Sequence, residues 1–491
     1  MRETTKLFLL SALFADLGLM LAGRMTAQTF SVIHTFTSAS GPNLTNTDGA
    51  NPSAGLILSG KTLYGTAKYG GSSGWGTVFA LSTDGSVFAA PYSFTGGSDG
   101  ANPTAGLILS NNTLYGTASA GGSSGHGTIF SVNTNGSSFS NLHSFTATAN
   151  DSFGLHTNSD GANPYVGLIL SGATLYGAAN DGGSSGQGTV FAVNTIGSGL
   201  TTLHSFSSGS GGAYSSAGLI LSGNTLYGAN YGNLGNGTVF AINTDGTAFT
   251  NYYAFTAGHL NGNGILTNSD GANPYAELIL SGDTLYGTAE NGGSSGKGTV
   301  FSVTTNGTDF ATLHSFTKGA YNSLGLYTNS DGANPSAELV LSGNTLYGTA
   351  NAGGLSGRGT VFALNTDGTG FTNLYNFSAT PPYPNTTNSD GANPTARLIL
   401  SGYALYGTAP YGGIAGNGTV FSLSFAPQLT IIPSGTNVVV TWPSNVAGFD
   451  YTGFVLQSAP ALTGAFTNLP GASSPFTNPI AGTQQFYRLS Q

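Results

Sequence analysis

The sequence predicts an all-β fold: a seven-bladed β-propeller of four-stranded blades, closed by an N-terminal strand, plus a small C-terminal β-sandwich-like domain. Three observations lead to this prediction: the composition, a sevenfold internal repeat and the complementary ends of the repeat array. Of the 491 residues, 78 are glycine and 6% are charged, which argues against long helices. Hydrophobic residues make up 39%, enough to form a core and to argue against disorder.

The repeat is marked by the tripeptide Leu-Tyr-Gly, whose copies lie 51 to 61 residues apart. A run such as Gly-Leu-Ile-Leu-Ser-Gly precedes each copy, and a glycine-rich stretch followed by Gly-Thr-Val/Ile-Phe comes after it. The tyrosines of the tripeptide are Tyr64, Tyr115, Tyr176, Tyr227, Tyr286, Tyr347 and Tyr406, and they define repeats 1 to 7.

Each repeat contains four short segments rich in strand-forming residues and bounded by turn residues. In repeat 1 these segments predict strand A at Gly55–Leu58, strand B at Thr62–Ala67, strand C at Gly76–Ser82 and strand D at Ser86–Phe94. Ser-Gly turns join A to B, and Thr-Asp-Gly-Ser turns join C to D, where glycine supplies the positive φ of a hairpin. Four antiparallel strands repeated radially form the blades of a propeller.

The two ends of the array complement each other. The segment Thr29–Thr37 matches the D strands of later repeats, whereas repeat 7 ends near Phe421–Ser424 without a D strand. We therefore expect the N-terminal strand to complete the last blade and close the ring, which removes open sheet edges.

The recurring motifs LYGTA, GTVFALNTDG, LHSF and DGANP resemble those of the GloVer tandem repeats of exported bacterial proteins. The resemblance extends over about Thr29 to Ser424. The resemblance implies the propeller repeats and export, and it implies no reaction.

The N-terminus predicts an export signal at residues 1–27. Arg2 and Lys6 precede the apolar stretch Leu7–Leu21, and Ala27 fits a cleavage site. We expect a secreted or cell-surface protein without membrane insertion after signal removal, with the propeller at residues 28–426.

Residues 428–491 predict a small β-domain. Leu429–Trp442 reads as two strands around a Gly-Thr-Asn turn, with further strands at Gly453–Ser458 and Gln484–Leu489. Trp442 is expected in its core, with Tyr487 nearby. The stretch resembles a truncated fibronectin type III-like module.

Charge and composition limit the function. The net charge of −9 argues against nucleic-acid binding, which requires a basic surface. The absence of cysteine excludes a thiolate metal site and a thiol nucleophile. We predict no cofactor and no metal, and a monomer whose partner is a glycan or a cell-surface protein.

Six of the seven D–A connections end in Asp-Gly-Ala-Asn-Pro, and repeat 4 has Gly211–Ser216 instead. The aspartates either form a ring that binds a cation or serve the turns, with the asparagine extended before proline. We favour the turn. Histidine and tyrosine alternate at one D-strand position (His34, Tyr92, His143, His204, Tyr253, His314, Tyr375), which indicates an amphipathic site on separate blades.

Two positions break the repeated pattern. The residue that opens strand A is glycine in repeats 1 to 4 and charged in repeats 5 to 7, and the residue before the Gly-Thr of strand C varies throughout. We predict that Glu277 pairs with Lys297 and Glu338 with Arg358, as a binding patch or as salt bridges worth at most about 1 kcal/mol each. Trp75 and His126 offer a stacking surface for a sugar. The candidate ligand-binding residues are Trp75, His126, Glu277, Lys297, Glu338, Arg358 and Arg397.

Two hypotheses for the function remain. The first is a non-catalytic, exported binding or structural protein that recognises a glycan or protein through its loop-rich face. The second is a carbohydrate-active hydrolase or lyase with its site at the channel mouth near Glu277, Glu338 and Arg397. A glycosidase needs two suitably spaced carboxylates, and a cation beside each glutamate would lower its pKa. The sequence therefore favours binding over catalysis, with no catalytic residue assigned.

Overall fold

A computed structural model describes residues 28–490 except 151–154, 208–213, 215–216, 233–235, 263–264, 382–386, 428, 444, 462, 464 and 480–484. The predicted export signal lies outside these residues. All regular secondary structure in the described part of the chain is β-strand, so the all-β prediction is confirmed. No helix in that part is long and apolar enough to cross a bilayer.

Seven four-stranded antiparallel sheets are present in the described chain, one per repeat, in a β-propeller-like arrangement. The A strands are Ile57–Ser59, Ile108–Ser110, Ile169–Ser171, Ile220–Ser222, Ile279–Ser281, Val340–Ser342 and Ile399–Ser401. The B strands are Thr62–Ala67, Thr113–Ala118, Thr174–Ala179, Thr225–Asn230, Thr284–Ala289, Thr345–Ala350 and Ala404–Ala409. The C strands are Thr77–Ser82, Thr128–Asn133, Thr189–Asn194, Thr238–Asn243, Thr299–Thr304, Thr360–Asn365 and Thr419–Ser424.

The D strands of repeats 1 to 6 are Phe88–Ser93, Ser140–Ser144, Thr201–Ser205, Thr250–Ala254, Ala311–Ser315 and Thr372–Asn376. In the sheet of repeat 7 the fourth strand is the N-terminal segment Thr29–Thr35, which lies beside Thr419–Ser424. The main-chain N–H of Phe36 donates to the carbonyl oxygen of Gly418 at 3.1 Å, continuing that pairing.

Among the described residues, three D–A connections carry two-stranded hairpins. They are formed by Ala149–Asn150 with His156–Thr157, His259–Leu260 with Leu266–Thr267, and Ala320–Tyr321 with Tyr327–Thr328.

The predicted strand bounds hold best in the middle of each sheet. In repeat 1 strand B agrees with the prediction at both ends, whereas strand A begins two residues later than expected. The ladder between A and B covers three pairs, from Ile57–Tyr64 to Ser59–Thr62. Gly55 and Leu56 lie before this ladder, and Leu56 packs into the core instead.

The glycine of Leu-Tyr-Gly has a packing role in every repeat. A Cβ on Gly65 would lie 2.6 Å from the Phe79 ring and 2.8 Å from Leu56, and the equivalent glycines meet the same neighbours. The phenylalanine of Gly-Thr-Val/Ile-Phe and the leucine that precedes strand A thus pack against this glycine. One contact therefore joins residues of all three repeated motifs.

Apolar side chains fill the spaces between adjacent sheets. Between repeats 1 and 2, for example, Phe94 packs with Leu107, Leu114 and Phe130. A cluster of the same composition contains Phe36, Leu56, Phe79 and Val420, and so joins repeat 7 to repeat 1.

A backbone hydrogen bond also joins each repeat to the next. The main-chain N–H at the asparagine position of Asp-Gly-Ala-Asn-Pro donates to the carbonyl oxygen of the residue before Gly-Thr in the preceding repeat. The seven donor–acceptor pairs are Asn102–Trp75, Asn163–His126, Tyr214–Gln187, Asn273–Asn236, Asn334–Lys297, Asn393–Arg358 and Asn51–Asn417, at 2.6 to 2.9 Å. The last pair again connects repeat 1 with repeat 7.

The conformation of these asparagines corrects one prediction. Asn51 and its five counterparts are not extended but left-handed, with φ of 54 to 59°. Asparagine tolerates this region, and the turn lets its side chain reach the preceding repeat. The Nδ2 of Asn163 donates to the carbonyl oxygen of Ser119 at 3.0 Å, and that of Asn51 donates to Pro410 at 2.8 Å.

The chain divides into two compact units. The larger comprises Ser31–Ser401 with Leu405–Ser422. The smaller comprises Gly402–Ala404 and Leu423–Gln491, with the start of the described chain up to Phe30.

The C-terminal part of the smaller unit contains two three-stranded sheets and a short hairpin. Thr430–Ser434, Asn437–Thr441 and Phe476–Pro479 form one sheet, Thr467–Asn468, Val455–Ala459 and Phe486–Ser490 the other, and Asn445–Val446 with Phe449–Asp450 the hairpin. Trp442 lies in the core with Val440 and Leu456, and Tyr487 packs against them, as predicted. A second aromatic group in this unit includes Tyr403, Phe425, Phe449 and Tyr451.

Candidate functional site

The clearest concave site lies in the larger unit, where connections after strands B and D meet. It consists of an outer chamber of 520 Å³ and an adjoining inner cavity of 230 Å³. Three pairs of residues line both spaces and form a ring between them: Ser53 and Thr104, Tyr165 and Tyr275, and Ser336 and Thr395. All six are the residue that follows Asn-Pro in their repeats.

Four tyrosines line the outer chamber. Tyr69 and Tyr411 come from the connections after strand B, and Tyr165 and Tyr275 from the ring. Between 38 and 51% of each residue is exposed, so their rings are available to a ligand. Lys68 and Glu290 are the charged residues among the described lining of this chamber.

The hydroxyl groups of Tyr165 and Tyr275 stay neutral over a wide pH range, because the pKa of each is raised. Burial raises the pKa of Tyr165, and nearby Asp181 raises it further, with Lys68 opposing. Burial and the charge of Glu290 likewise raise the pKa of Tyr275. Both phenols can therefore donate hydrogen bonds.

Three hydroxyl groups of the ring lack a partner. Ser53 Oγ, Ser336 Oγ and Thr395 Oγ1 are buried and make no hydrogen bond within the described residues. A buried polar group without a partner costs about 1–3 kcal/mol. These hydroxyls are therefore available to polar groups that enter between the chamber and the cavity.

The inner cavity is lined by the residue that opens strand A in every repeat. Repeats 1 to 4 contribute Gly55, Gly106, Gly167 and Gly218, and repeats 5 to 7 contribute Glu277, Glu338 and Arg397. One wall of the cavity is thus glycine backbone and the other is charged.

Arg397 neutralises Glu338. Its Nη1 donates to both carboxylate oxygens, at 3.0 and 3.1 Å. Glu277 lies beside this pair, and its Oε2 is 2.4 Å from where a Cβ on Gly218 would be. Enclosure and the charge of Glu338 raise the pKa of Glu277 well above its usual value, with Arg397 opposing.

The predicted pairing within each repeat is wrong. Glu338 pairs with Arg397 rather than Arg358, and Glu277 faces Glu338 and Arg397 rather than Lys297. Lys297 Nζ instead lies 3.9 Å above the Tyr327 ring. Arg358 Nε is buried and has no hydrogen-bond partner among the described residues. The openings of neighbouring A strands converge on the cavity, which brings them closer to each other than to their own B–C loops.

Trp75 and His126 lie in B–C loops and are not part of the described lining of either space. The Trp75 ring covers Gly96, whose Cβ would lie 2.6 Å from it, although 46% of the tryptophan is exposed. The structure therefore brings together three of the seven predicted residues, Glu277, Glu338 and Arg397, and leaves the other four in the loops.

The Asp-Gly-Ala-Asn-Pro aspartates each serve their own D–A connection. Asp160 accepts hydrogen bonds from His143 Nε2 at 2.9 Å and from both the main chain and the hydroxyl of Thr146. The main-chain carbonyl of Asp160 in turn accepts from Thr189 Oγ1. The same set of bonds recurs around Asp48, Asp99, Asp270, Asp331 and Asp390, with tyrosine replacing histidine at three of them.

The histidine and tyrosine position is amphipathic, as predicted. His314 bonds to Asp331 on one edge and stacks on Phe371 of the next repeat, with ring centroids 3.8 Å apart. His204 stacks on Phe249 with ring centroids 3.7 Å apart, and its repeat has Gly211 in place of the aspartate. Burial lowers the pKa of His204.

Sequence reasoning missed the tyrosines of the outer chamber. The signal was present, because the residue after Asn-Pro is serine or threonine in four repeats and tyrosine in repeats 3 and 5. Tyr69 and Tyr411 occupy the position five residues after the Leu-Tyr-Gly tyrosine, which varies among the repeats.

Several solved structures are similar in fold at low identity. The extracellular domain of a protein designated a one-component system of B. thetaiotaomicron is 12% identical, with a TM-score of 0.46 over 84% of this chain and 45% of that one. The chain thus spans less than half of that protein's length. A protein designated a 6-phosphogluconolactonase from Bacteroides uniformis is 15% identical (TM-score 0.43, 80% and 94% covered). An oligogalacturonate lyase from Vibrio parahaemolyticus is 9% identical (TM-score 0.44, 81% and 97% covered).

No curated protein matches the sequence. The model of the Gloeobacter/Verrucomicrobia repeat matches three consecutive stretches, residues 22–155, 151–326 and 319–467. Since these stretches together span most of the chain, the protein belongs to the Gloeobacter/Verrucomicrobia repeat family.

Proposed function

We propose that this protein is an exported, non-catalytic binding protein that holds a glycan in the outer chamber of a closed, seven-bladed β-propeller. The observation that carries the proposal is the chamber itself, which is lined by four exposed tyrosines and by the hydroxyl groups of the six-residue ring, to which two of the tyrosines belong. Aromatic faces pack against the apolar C–H faces of a sugar, and hydroxyl groups bond to its polar edge. A site that binds a glycan needs both kinds of contact.

Closure of the propeller rests on contacts that recur between repeats 7 and 1. The Asn51–Asn417 hydrogen bond and the core around Phe36 and Val420 match those between successive repeats. The inner cavity receives one strand-opening residue from each of the seven repeats. Both observations support a ring.

The remaining parts of the proposal concern the ends of the chain. Residues 1–27 would direct export and be removed, leaving a monomer that is secreted or bound to the cell surface. Residues 428–491 would form a fibronectin type III-like module, supported by the two small sheets around Trp442. N-terminal sequencing of the protein recovered from the culture medium and cell surface tests the cleavage.

The binding proposal is tested with a glycan array, followed by calorimetry on the glycan retained. Tyr165→Ala and Tyr275→Ala should each weaken binding about tenfold or more, because each removes a stacking face worth about 1.4 kcal/mol. Tyr321→Ala is the matched control, because Tyr321 is 72% exposed on a D–A hairpin away from the chamber lining. Equal loss in all three variants, or no retained glycan, would contradict the proposal.

A second candidate function is a carbohydrate-active hydrolase or lyase, favoured by the raised pKa of Glu277 beside the charged Glu338–Arg397 pair. A protonated carboxyl group near an ionised one suits acid–base chemistry on a glycosidic bond. Product analysis of the retained glycan distinguishes the two functions. Shortened products that disappear in Glu277→Gln would establish catalysis, whereas an unchanged glycan supports binding.

A further inference from the structure

The charged wall of the inner cavity is not required by the scaffold. Four repeats place glycine at the position that opens strand A, yet their sheets have the same order of four strands as the others, and the A–B ladder of repeat 1 has the same register as that of repeat 5. Charges enclosed in a protein are costly unless they are compensated. Glu277, Glu338 and Arg397 therefore need an explanation other than folding.

The charges of the three residues do not cancel. Arg397 forms a two-point contact with Glu338, which accounts for one negative charge. The Glu277 carboxylate receives no hydrogen bond from any donor in the described part of the chain, although Arg397 acts on it through space. The raised pKa of Glu277 opposes its ionisation, and an adjacent cation would reverse that effect. The ionised cluster then carries one negative charge in excess of Arg397, in a molecule with a net charge of −9.

The cavity has room for a ligand group at this point. It has a volume of 230 Å³, and repeats 1 to 4 contribute glycine where repeats 5 to 7 contribute charged side chains. The six-residue ring joins it to the outer chamber. A group attached to a glycan in the chamber can therefore extend to Glu277.

We propose that the inner cavity is a subsite for a protonated amine, so that the preferred ligand is a glycan that contains amino sugars. This inference rests on the proposed glycan-binding function and specifies its ligand class. An ammonium group matches the single excess charge and donates up to three hydrogen bonds to a carboxylate that lacks them. A divalent metal ion fits less well, because it needs several oxygen ligands and Arg397 already occupies both carboxylate oxygens of Glu338. Arg397 also repels a doubly charged ion more strongly than a singly charged ammonium group. An acidic sugar is disfavoured because Glu338 already occupies Arg397.

The test compares two ligands of equal length, a glucosamine tetramer and an N-acetylglucosamine tetramer, by calorimetry on the full chain. The wild-type protein should bind the amine form at least about tenfold more tightly, as expected for one charge-assisted hydrogen bond. Glu277→Gln should abolish this preference and leave the affinity for the acetylated form within about twofold.

Glu290→Gln tests the alternative position of the amine, because it removes a carboxylate from the glycan-binding outer chamber by the same substitution. It should keep the preference. If Glu277→Gln fails to fold, Glu277→Gly replaces it, since glycine is the residue that repeats 1 to 4 use at this position.

The outcomes separate the two proposals. Equal affinity of the wild type for both tetramers, or a preference that survives Glu277→Gln, overturns the amine subsite and leaves glycan binding standing. If Glu290→Gln loses the preference for the amine form, the amine binds in the outer chamber. This result also overturns the inference. Failure to bind the tetramers while other glycans are retained on the array refutes only the amine subsite, and an empty array refutes both.

Discussion

At the scale of single residues, the glycine of Leu-Tyr-Gly is enclosed by core side chains in every repeat. In repeat 2 a Cβ on Gly116 would lie 2.7 Å from the Phe130 ring and 2.8 Å from Leu107. Both neighbours are fully or almost fully buried, so neither can move without disturbing the core between sheets.

Gly116→Ala should therefore destabilise the protein by about 1–3 kcal/mol, as overpacking of a core does. The control is Gly97→Ala, because Gly97 has ordinary φ and a single neighbour at 3.4 Å. Chemical unfolding of both variants measures the difference. Similar midpoints for the two variants would show that the core yields more easily than its packing suggests.

Predictions for single residues were correct where neighbours in sequence determine the structure, and wrong where distant residues determine it. The turn glycines and the core role of Trp442 follow from their neighbours in sequence. The left-handed Asn51 does not, because its conformation is set by hydrogen bonds to Pro410 and Asn417, more than 350 residues away. The Glu338–Arg397 pair was missed for the same reason, since its partners belong to different repeats.

At the scale of structural elements, the D–A connections are organised by their aspartates. Burial raises the pKa of Asp160, but hydrogen bonds from His143 and Thr146 outweigh this effect and the pKa is lower than usual. The same balance lowers the pKa of Asp48. A carboxylate with a lowered folded-state pKa stabilises the fold above its usual pKa of about 3.9, and the stabilisation is lost as the pH falls through the lowered value.

Asp160→Asn should thus reduce stability by about 1–3 kcal/mol at neutral pH, where the wild-type carboxylate accepts its full set of hydrogen bonds. The variant should also lose less stability than the wild type on acidification to about pH 3. Urea unfolding at both pH values checks this. Asp283→Asn, at an exposed A–B turn, serves as the control and should leave both stabilities unchanged. An Asp160→Asn protein with the wild-type pH profile would refute the role assigned to the aspartate.

The strands were more predictable than the connections. Strand B of repeat 1 was predicted without error, because strand-forming residues bounded by turn residues mark it. The chamber residues Tyr165 and Tyr275 lie in a repeated segment, directly after Asn-Pro, but the repeat does not indicate that they face a common space. Their convergence depends on how the sheets are arranged, which periodicity does not specify.

At the scale of the whole molecule, the proposed ring makes the repeat 7 to repeat 1 junction equivalent to the others. Asn51→Ala and Asn163→Ala remove the same side-chain hydrogen bond and place alanine in the same left-handed conformation. Each should cost about 1–3 kcal/mol in total.

In a closed ring the two variants should lower the midpoint of thermal unfolding by similar amounts, a few degrees each. In an open array Asn51→Ala would have little effect, because its partners would lie at the far end of the chain. Differential scanning calorimetry of the pair distinguishes these cases, and an unchanged midpoint for Asn51→Ala alone would rule out closure.

The glycine wall of the inner cavity has a consequence for how such a protein diversifies. A Cβ on Gly106 or Gly167 would meet only a carbonyl oxygen at 3.5 Å, an ordinary van der Waals distance. New side chains can be introduced at these two sites without rebuilding any sheet. Selectivity can therefore evolve, or be engineered, one repeat at a time while the framework is inherited intact.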